Sequence, residues 1–249
     1  MYYKEFVLLR RGLLVFFAIV LVFSITFDAT MHASHDKIVY PLPELTLFFM
    51  AWLVGIFAAI YGTSLGQDSG DTARLALMRP ISRLRAAATV FGMGAGAVVL
   101  ALFVGSAVFY LPFVVTNGFG AIGIDRAYGA VQFLLPLSLA FAFYGVAAAA
   151  SVLARRSLAV ALMAWPVSAV LFMFIAQPGS LGNVMRDLNV VNPLAYYIAG
   201  INVMSNPKLA HHNYGYFGDL TPQTDAVVLF GMFLIFITIA ALQWRRVEA

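Results

Sequence analysis

Apolar residues fall in runs far longer than a strand, and polar residues occur as short breaks between them. The runs are Leu13–Phe27, Leu45–Leu65, Ala86–Val115, Tyr128–Ala154, Leu158–Ala176 and Asp225–Trp244. Most approach or exceed the roughly 20 residues a helix needs to cross a bilayer. None alternates with the period of two that a barrel strand would show. A helix satisfies its own backbone groups in lipid. The pattern therefore predicts an all-α membrane protein: one transmembrane domain over residues 1–249 with six spans.

The breaks differ in character. In Met1–Gly12, Tyr2, Tyr3, Phe6, Val7 and Leu9 share a helical face, with Lys4, Arg10 and Arg11 near the headgroups. That suits an interfacial helix leading into the first span; a plain basic flank is the simpler reading. A basic start before a short apolar run also describes a signal peptide. However, DATMHASH offers only a weak cleavage site, and losing the first span would leave an odd number. Asp28–Glu44 is expected to be a polar loop closed by Pro41 and Pro43, and Thr116–Ala127 a turn with Gly118, Gly120 and Gly123. Gly92, Gly94, Gly96 and Gly105 in the third run suit close helix packing, and Pro136 marks a kink in the fourth. Arg155, Arg156 and Ser157 form a tight basic turn. Gln177–Thr224 is the longest polar segment, punctuated by Pro178, Asn192-Pro193, Asn206-Pro207 and Thr221-Pro222. These are turn signals, and short helices are expected between them at Leu181–Val190 and Leu194–Met204.

Composition sharpens the picture. Of 249 residues, 62% are hydrophobic and 10% charged, against roughly 25% charged in soluble domains. The net charge of +4 reads as topology rather than nucleic-acid binding. Lys4, Arg10, Arg11, Arg74, Arg79, Arg83, Arg85, Arg155, Arg156, Arg245 and Arg246 fall on one side of the expected topology, and Lys37, Arg126, Arg186 and Lys208 on the other. The richer side is expected to be cytosolic, with both termini in the cytosol and the chain multi-pass in the inner (plasma) membrane. There is no Cys, hence no disulfide and no thiolate metal site.

By these boundaries no ionisable residue sits deep in a span; Asp28 and Asp225 fall at edges. Proton pumps and ion-coupled carriers keep such groups at membrane depth, so intrinsic ion coupling is not expected. All four His (His32, His35, His211, His212) lie in loops facing away from the cytosol, which speaks against a membrane haem. His32-x-x-His35 and His211-His212, with Asp36 or Asp219, invite a metal reading; exposed loop histidines are the alternative, and no metal site is assigned. The chain has no phosphate loop and no convergent acid, base and nucleophile, so no catalytic residue is assigned and it is not expected to be an enzyme.

Gly66–Arg85 is the polar segment that carries chemistry. Asp68 and Asp71 come early and Arg74 and Arg79 later, matching the helix dipole. Asp68 or Ser69 is placed to cap, and Leu75, Leu77 and Met78 supply an apolar patch. Pro80 stops the helix, and Arg83 and Arg85 meet the headgroups. The residues describe a short amphipathic helix that either docks in a partner's groove or lies on the bilayer.

Gly70, Asp71, Thr72, Leu75, Leu77, Pro80, Ile81, Ser82 and Arg83 resemble the first cytosolic loop of type-2 ABC transporter permeases (ABC-2 membrane subunits). Six spans, an interfacial amino-terminal helix, a small turn after the fourth span and a long outer segment with Asn192, Pro193, Leu194 and Tyr196 extend the resemblance along the chain. A Lys that such permeases often carry shortly into the third span is absent; the region reads TVFGMG, and Arg83 and Arg85 stand nearby. The resemblance implies a permease half that pairs with a second copy, as a homodimer, and binds two copies of a separate ATPase subunit, which would hold ATP and Mg. Asp68, Gly70, Asp71, Thr72, Arg74, Leu75, Leu77 and Met78 would dock the ATPase, Pro80 and Arg83 would shape the exit, and Arg155 and Arg156 would add a smaller contact. The second and fifth spans would line the pathway, making Phe49, Trp52, Phe172 and Phe174 candidates. Short helices broken at Asn192 and Pro193 would form an outer gate. A wall without charges suits export of a hydrophobic or amphipathic substrate. The competing expectation is a membrane scaffold that recruits a cytosolic protein without transport.

Overall fold

The computed structural model describes residues 2–34, 51–62, 83–118, 129–154, 167–174, 180–205, 208 and 214–247. Among them there is no strand. In chain order the helices are α1 (Tyr2–Ser34), α2 (Ala51–Gly62), α3 (Arg83–Asn117), α4 (Val131–Ala154), α5 (167–173), α6 (Ser180–Asn189), α7 (Pro193–Ser205), a 3-10 turn η1 (Gly215–Asp219) and α8 (Pro222–Val247).

Among the described residues, four helices are long and apolar enough to cross a membrane: Leu9–Ala29, Ala88–Thr116, Val131–Ser151 and Pro222–Gln243. These coincide with the first, third, fourth and sixth expected spans. The second and fifth are described only over α2 and α5, and their remainder lies outside the described residues. Large apolar side chains face outward on the long helices. Val15, Ile19, Val22 and Ile25 of α1 are each more than half exposed. A soluble protein rarely leaves so much contiguous apolar surface in water; lipid is its natural cover. The chain is a multi-pass, membrane-embedded, all-α protein.

Several boundaries depart from the sequence reading. α1 is unbroken through Gly12, so the amino-terminal residues continue the first span instead of forming a separate helix. It also runs past Asp28 to Ser34, where a loop was expected; neither Gly nor Pro interrupts residues 28–34. At about 1.5 Å per residue, its 33 residues exceed the roughly 30 Å hydrocarbon layer. α3 continues to Asn117 and ends at Gly118 in the left-handed region, φ 76°. The Gly118 N–H donates to the Val114 carbonyl at 2.9 Å, a glycine-terminated cap. α4 begins at Val131 rather than Tyr128, because Gly129 also takes positive φ and cannot continue a right-handed helix. Pro112 and Pro136 lie inside α3 and α4 without ending them. α5 stops at 173, short of the expected Ala176.

α4 is the central element. Of its apolar window 72% is buried, against 22–33% for the other three long helices. It packs most extensively on α8, and also on α7 and α3. One apolar core joins α1, α2, α3 and α4 around Phe16, Phe57, Phe91, Phe109 and Tyr144. A second joins α2, α4, α7, η1 and α8 around Leu135, Phe143, Tyr197, Phe217 and Leu229. On α1 the buried stripe Leu9, Leu13, Phe16, Val20, Ser24 and Asp28 follows helical spacing. Ser24 donates its hydroxyl to the Phe109 carbonyl of α3, a polar tie between two helices in an apolar setting. Of the closely spaced glycines in α3, only Gly94 meets a neighbour: a Cβ there would lie 2.0 Å from the Tyr144 hydroxyl. Gly92 and Gly96 face open space. The missing side chain at 94 lets Tyr144 reach across α3 and donate to the Phe91 carbonyl at 3.3 Å.

Candidate functional site

The described part of the long polar segment folds into two short helices joined at a bend, here called the hairpin, of which α7 packs on α4 and α8. Its two helices, α6 and α7, fall within a residue of the positions expected from the turn signals. α6 is amphipathic, with Val184 and Leu188 exposed. α7 is almost wholly buried: Leu194, Ala195, Tyr197 and Ala199 have no exposed surface.

Asn192 makes the break between them. Its side-chain oxygen accepts from the Leu194 N–H at 3.1 Å, the N-cap bond that starts α7. Pro193 follows in the first helical position, where its missing N–H costs nothing. The Asn192 amide donates to the Ser168 carbonyl of α5 at 2.9 Å and to the Asn189 side-chain oxygen at 2.6 Å. Asn189, the last residue of α6, donates in turn to the Leu171 carbonyl of α5 at 2.9 Å. Leu171 lies in the final turn of α5, where helix carbonyls lack intrahelical partners. Two buried asparagines thus stitch the hairpin bend to the end of the fifth expected span. Tyr196 donates to the Val190 carbonyl at 3.0 Å, tightening the bend.

η1 closes the other side. Phe217 packs edge-on against Tyr196, ring centroids 5.0 Å apart, and Tyr216 donates to the Arg186 carbonyl of α6 at 3.0 Å. Burial, with smaller contributions from Tyr196 and Asp187, pushes the Tyr216 phenol up to about 12 against the opposing Arg186, so it remains a donor throughout the physiological range. Phe172 of α5 stacks on Tyr214 at 5.8 Å.

Asp225 sits under this hairpin. Thr221 caps α8, accepting from the Thr224 N–H at 3.2 Å, and Pro222 occupies the first helical position. The Asp225 carboxyl therefore does not cap. It turns inward with no exposed surface, and among the described residues neither oxygen has a hydrogen-bond partner. It abuts Gly200 of α7, where a Cβ would come within 2.9 Å of Oδ2 and 3.1 Å of Leu135 of α4. The sequence reading put Asp225 at a span edge, which holds, but gave no sign that it is fully buried. Helix polarity at a first turn favours a carboxylate by about 0.3–1 kcal/mol. An ion taken out of water without a partner costs several kcal/mol. The second term is the larger.

The other candidate residues are placed as follows. Asp68, Gly70, Asp71, Thr72, Arg74, Leu75, Leu77, Met78, Pro80, Arg155, Arg156 and Phe49 lie outside the described residues, as do His35, His211 and His212. Arg83 opens α3. Trp52 and Phe172 are partly buried against the second core, whereas Phe174, just beyond α5, is 42% exposed. Asn192 and Pro193 are brought together with Asn189, Ser168 and Leu171. Sequence reasoning did not single out Asn189, although Asn189-x-x-Asn192 across a helix break is a readable sign of paired capping amides. Among the described residues, no three His, Asp or Glu side chains converge as a metal site would need.

The chain matches no protein-family model, no curated protein and no solved structure.

Proposed function

We propose that this chain is the membrane-spanning subunit of an ATP-driven transporter of the type-2 ABC class. The observation that carries the reading is the spacing Gly70-Asp71-Thr72, Leu75, Leu77 and Pro80-Ile81-Ser82-Arg83 between two apolar runs. Residues 66–85 would form the coupling helix on the cytosolic side, and a separate ATPase subunit would hold ATP and Mg. Two copies of the chain would pair, and nucleotide-driven closure of the ATPases would rock them as rigid bodies.

The hairpin supports the same reading. Two short helices, bent at a capped Asn192-Pro193 and followed by a final long helix, would serve as a plug on the outer side. In the proposed cycle this plug is the outer gate. A pathway wall without charges, lined by the second and fifth spans, would suit a hydrophobic or amphipathic cargo carried outward.

Co-expression with the candidate ATPase tests the assignment. The complex should co-purify with the unmodified chain and be lost with Leu75→Asp or Leu77→Asp. A complex that survives both substitutions contradicts the coupling assignment. If the unmodified chain recruits a cytosolic partner but supports no ATP-dependent substrate movement in proteoliposomes, the scaffold reading takes its place.

A further inference from the structure

We propose that Asp225 is a proton-binding site between the hairpin and the last helix, so that parting α7 from α8 is linked to release of a proton. The inference does not depend on the transporter assignment; it rests on the geometry of one carboxyl group.

Asp225 is fully buried, and among the described residues both its oxygens lack hydrogen-bond partners. Among the described residues, no counter-charge stands on α7 or α4, the helices in contact with it. α7 (Pro193–Ser205) and α4 (Val131–Ala154) contain no Lys, Arg, His, Asp or Glu. Their titratable groups are Tyr196 and Tyr197 on α7 and Tyr144 on α4. The Tyr196 hydroxyl is committed to the Val190 carbonyl, and that of Tyr144 to the Phe91 carbonyl. α3 carries Arg83 and Arg85 at its start and Tyr110 toward its end. η1 contributes Tyr216, committed to the Arg186 carbonyl, and the exposed Asp219. On α8 itself, Arg245 and Arg246 stand at the far end.

A carboxyl enclosed in this way keeps its proton, because the ionised form would have neither water nor a donor. The contact with Gly200 makes that state conditional on packing. The close fit leaves no space for a water molecule between Oδ2 and the α7 backbone. Once α7 lifts away, water reaches the carboxyl, which then ionises as an ordinary Asp does well below neutral pH. The ionised group cannot be reburied until it takes up a proton. Low pH therefore favours the packed hairpin and high pH the lifted one. In this way a single acid near a helix start gives the contact between α7 and α8 a pH response.

The test uses the full chain in lipid nanodiscs. Infrared spectra with 13C-labelled aspartate should show a protonated-carboxyl band at neutral pH that Asp225→Asn deletes. Absence of that band in the unmodified chain overturns the proposal without recourse to any variant. The chain has no Cys, so spin labels at Val191→Cys and Val227→Cys, both 71% exposed in the native chain, report the hairpin-to-α8 distance alone. Raising the pH should shift the distribution toward longer distances in the Asp225 protein and leave it unchanged in Asp225→Asn. Equal pH responses in both, or none in either, refute the linkage. Gly200→Ala retains the acid but loosens its enclosure, and should lower the pH at which the carboxyl band disappears. An unmoved titration in a folded Gly200→Ala protein also counts against the proposal.

Discussion

Asn192→Ala is the most incisive perturbation of the hairpin. Asn192 is 3% exposed and its side chain makes three hydrogen bonds, at 2.6, 2.9 and 3.1 Å. A buried hydrogen bond contributes a net of about 1 kcal/mol, so truncation should cost about 3 kcal/mol. Part of that is the N-cap, which alone accounts for about 1 kcal/mol. For a chain of this length the loss corresponds to a fall in Tm of about 6–12 °C, measurable by a thermal melt in nanodiscs. Asn192→Asp separates the contributions. It keeps an oxygen for the Leu194 N–H but replaces the two donated bonds with acceptor facing acceptor, at the Ser168 carbonyl and the Asn189 oxygen. If the stitch to α5 dominates, Asp should be worse than Ala, and amide exchange in the first turn of α7 should rise in both. Should Asp prove milder than Ala, the cap would be the main contribution and the stitching argument would fail.

Two further predictions concern the bundle. Gly94→Ala drives a methyl group into Tyr144, a fully buried ring that stacks on Tyr61 at 6.5 Å; overpacking of this kind costs about 1–3 kcal/mol, whereas Gly92→Ala, facing open space, should leave Tm unchanged or slightly raised. Equal melting of the two variants would contradict the packing assigned to α3 and α4. Ser24→Ala removes the tie between α1 and α3 and strands the Phe109 carbonyl only partly, since that carbonyl remains within its helix; a loss of about 0.6 kcal/mol is expected, read as a small drop in Tm.

Much of the fold is legible in the sequence because lipid imposes simple rules. Long apolar runs without a period of two become helices, and among the described residues four of them are long and apolar enough to span. The hairpin was readable too, since Pro and Asn mark helix starts through local chemistry. The errors were equally physical. The first helix overruns Asp28 because that acid lies on the buried stripe with Val20 and Ser24, a tertiary circumstance that polarity along the chain does not reveal. Gly94 and Gly92 look alike in sequence, and only the position of Tyr144 distinguishes them. The pairing of Gly200 with Asp225 brings together residues from different helices, and no local pattern announces it.

The division of α4 between the two cores has a mechanical corollary. Ala147 belongs to one core, while Ala148 and Ala149 belong to the other. Earlier on the helix, Leu139 lies in one core and Ala140 in the other; successive residues are set about 100° apart, so a twist of one residue would exchange large and small side chains between the two cores. α4 therefore behaves as a spindle: neighbours can pivot about it, but it cannot spin without dismantling both halves of the molecule.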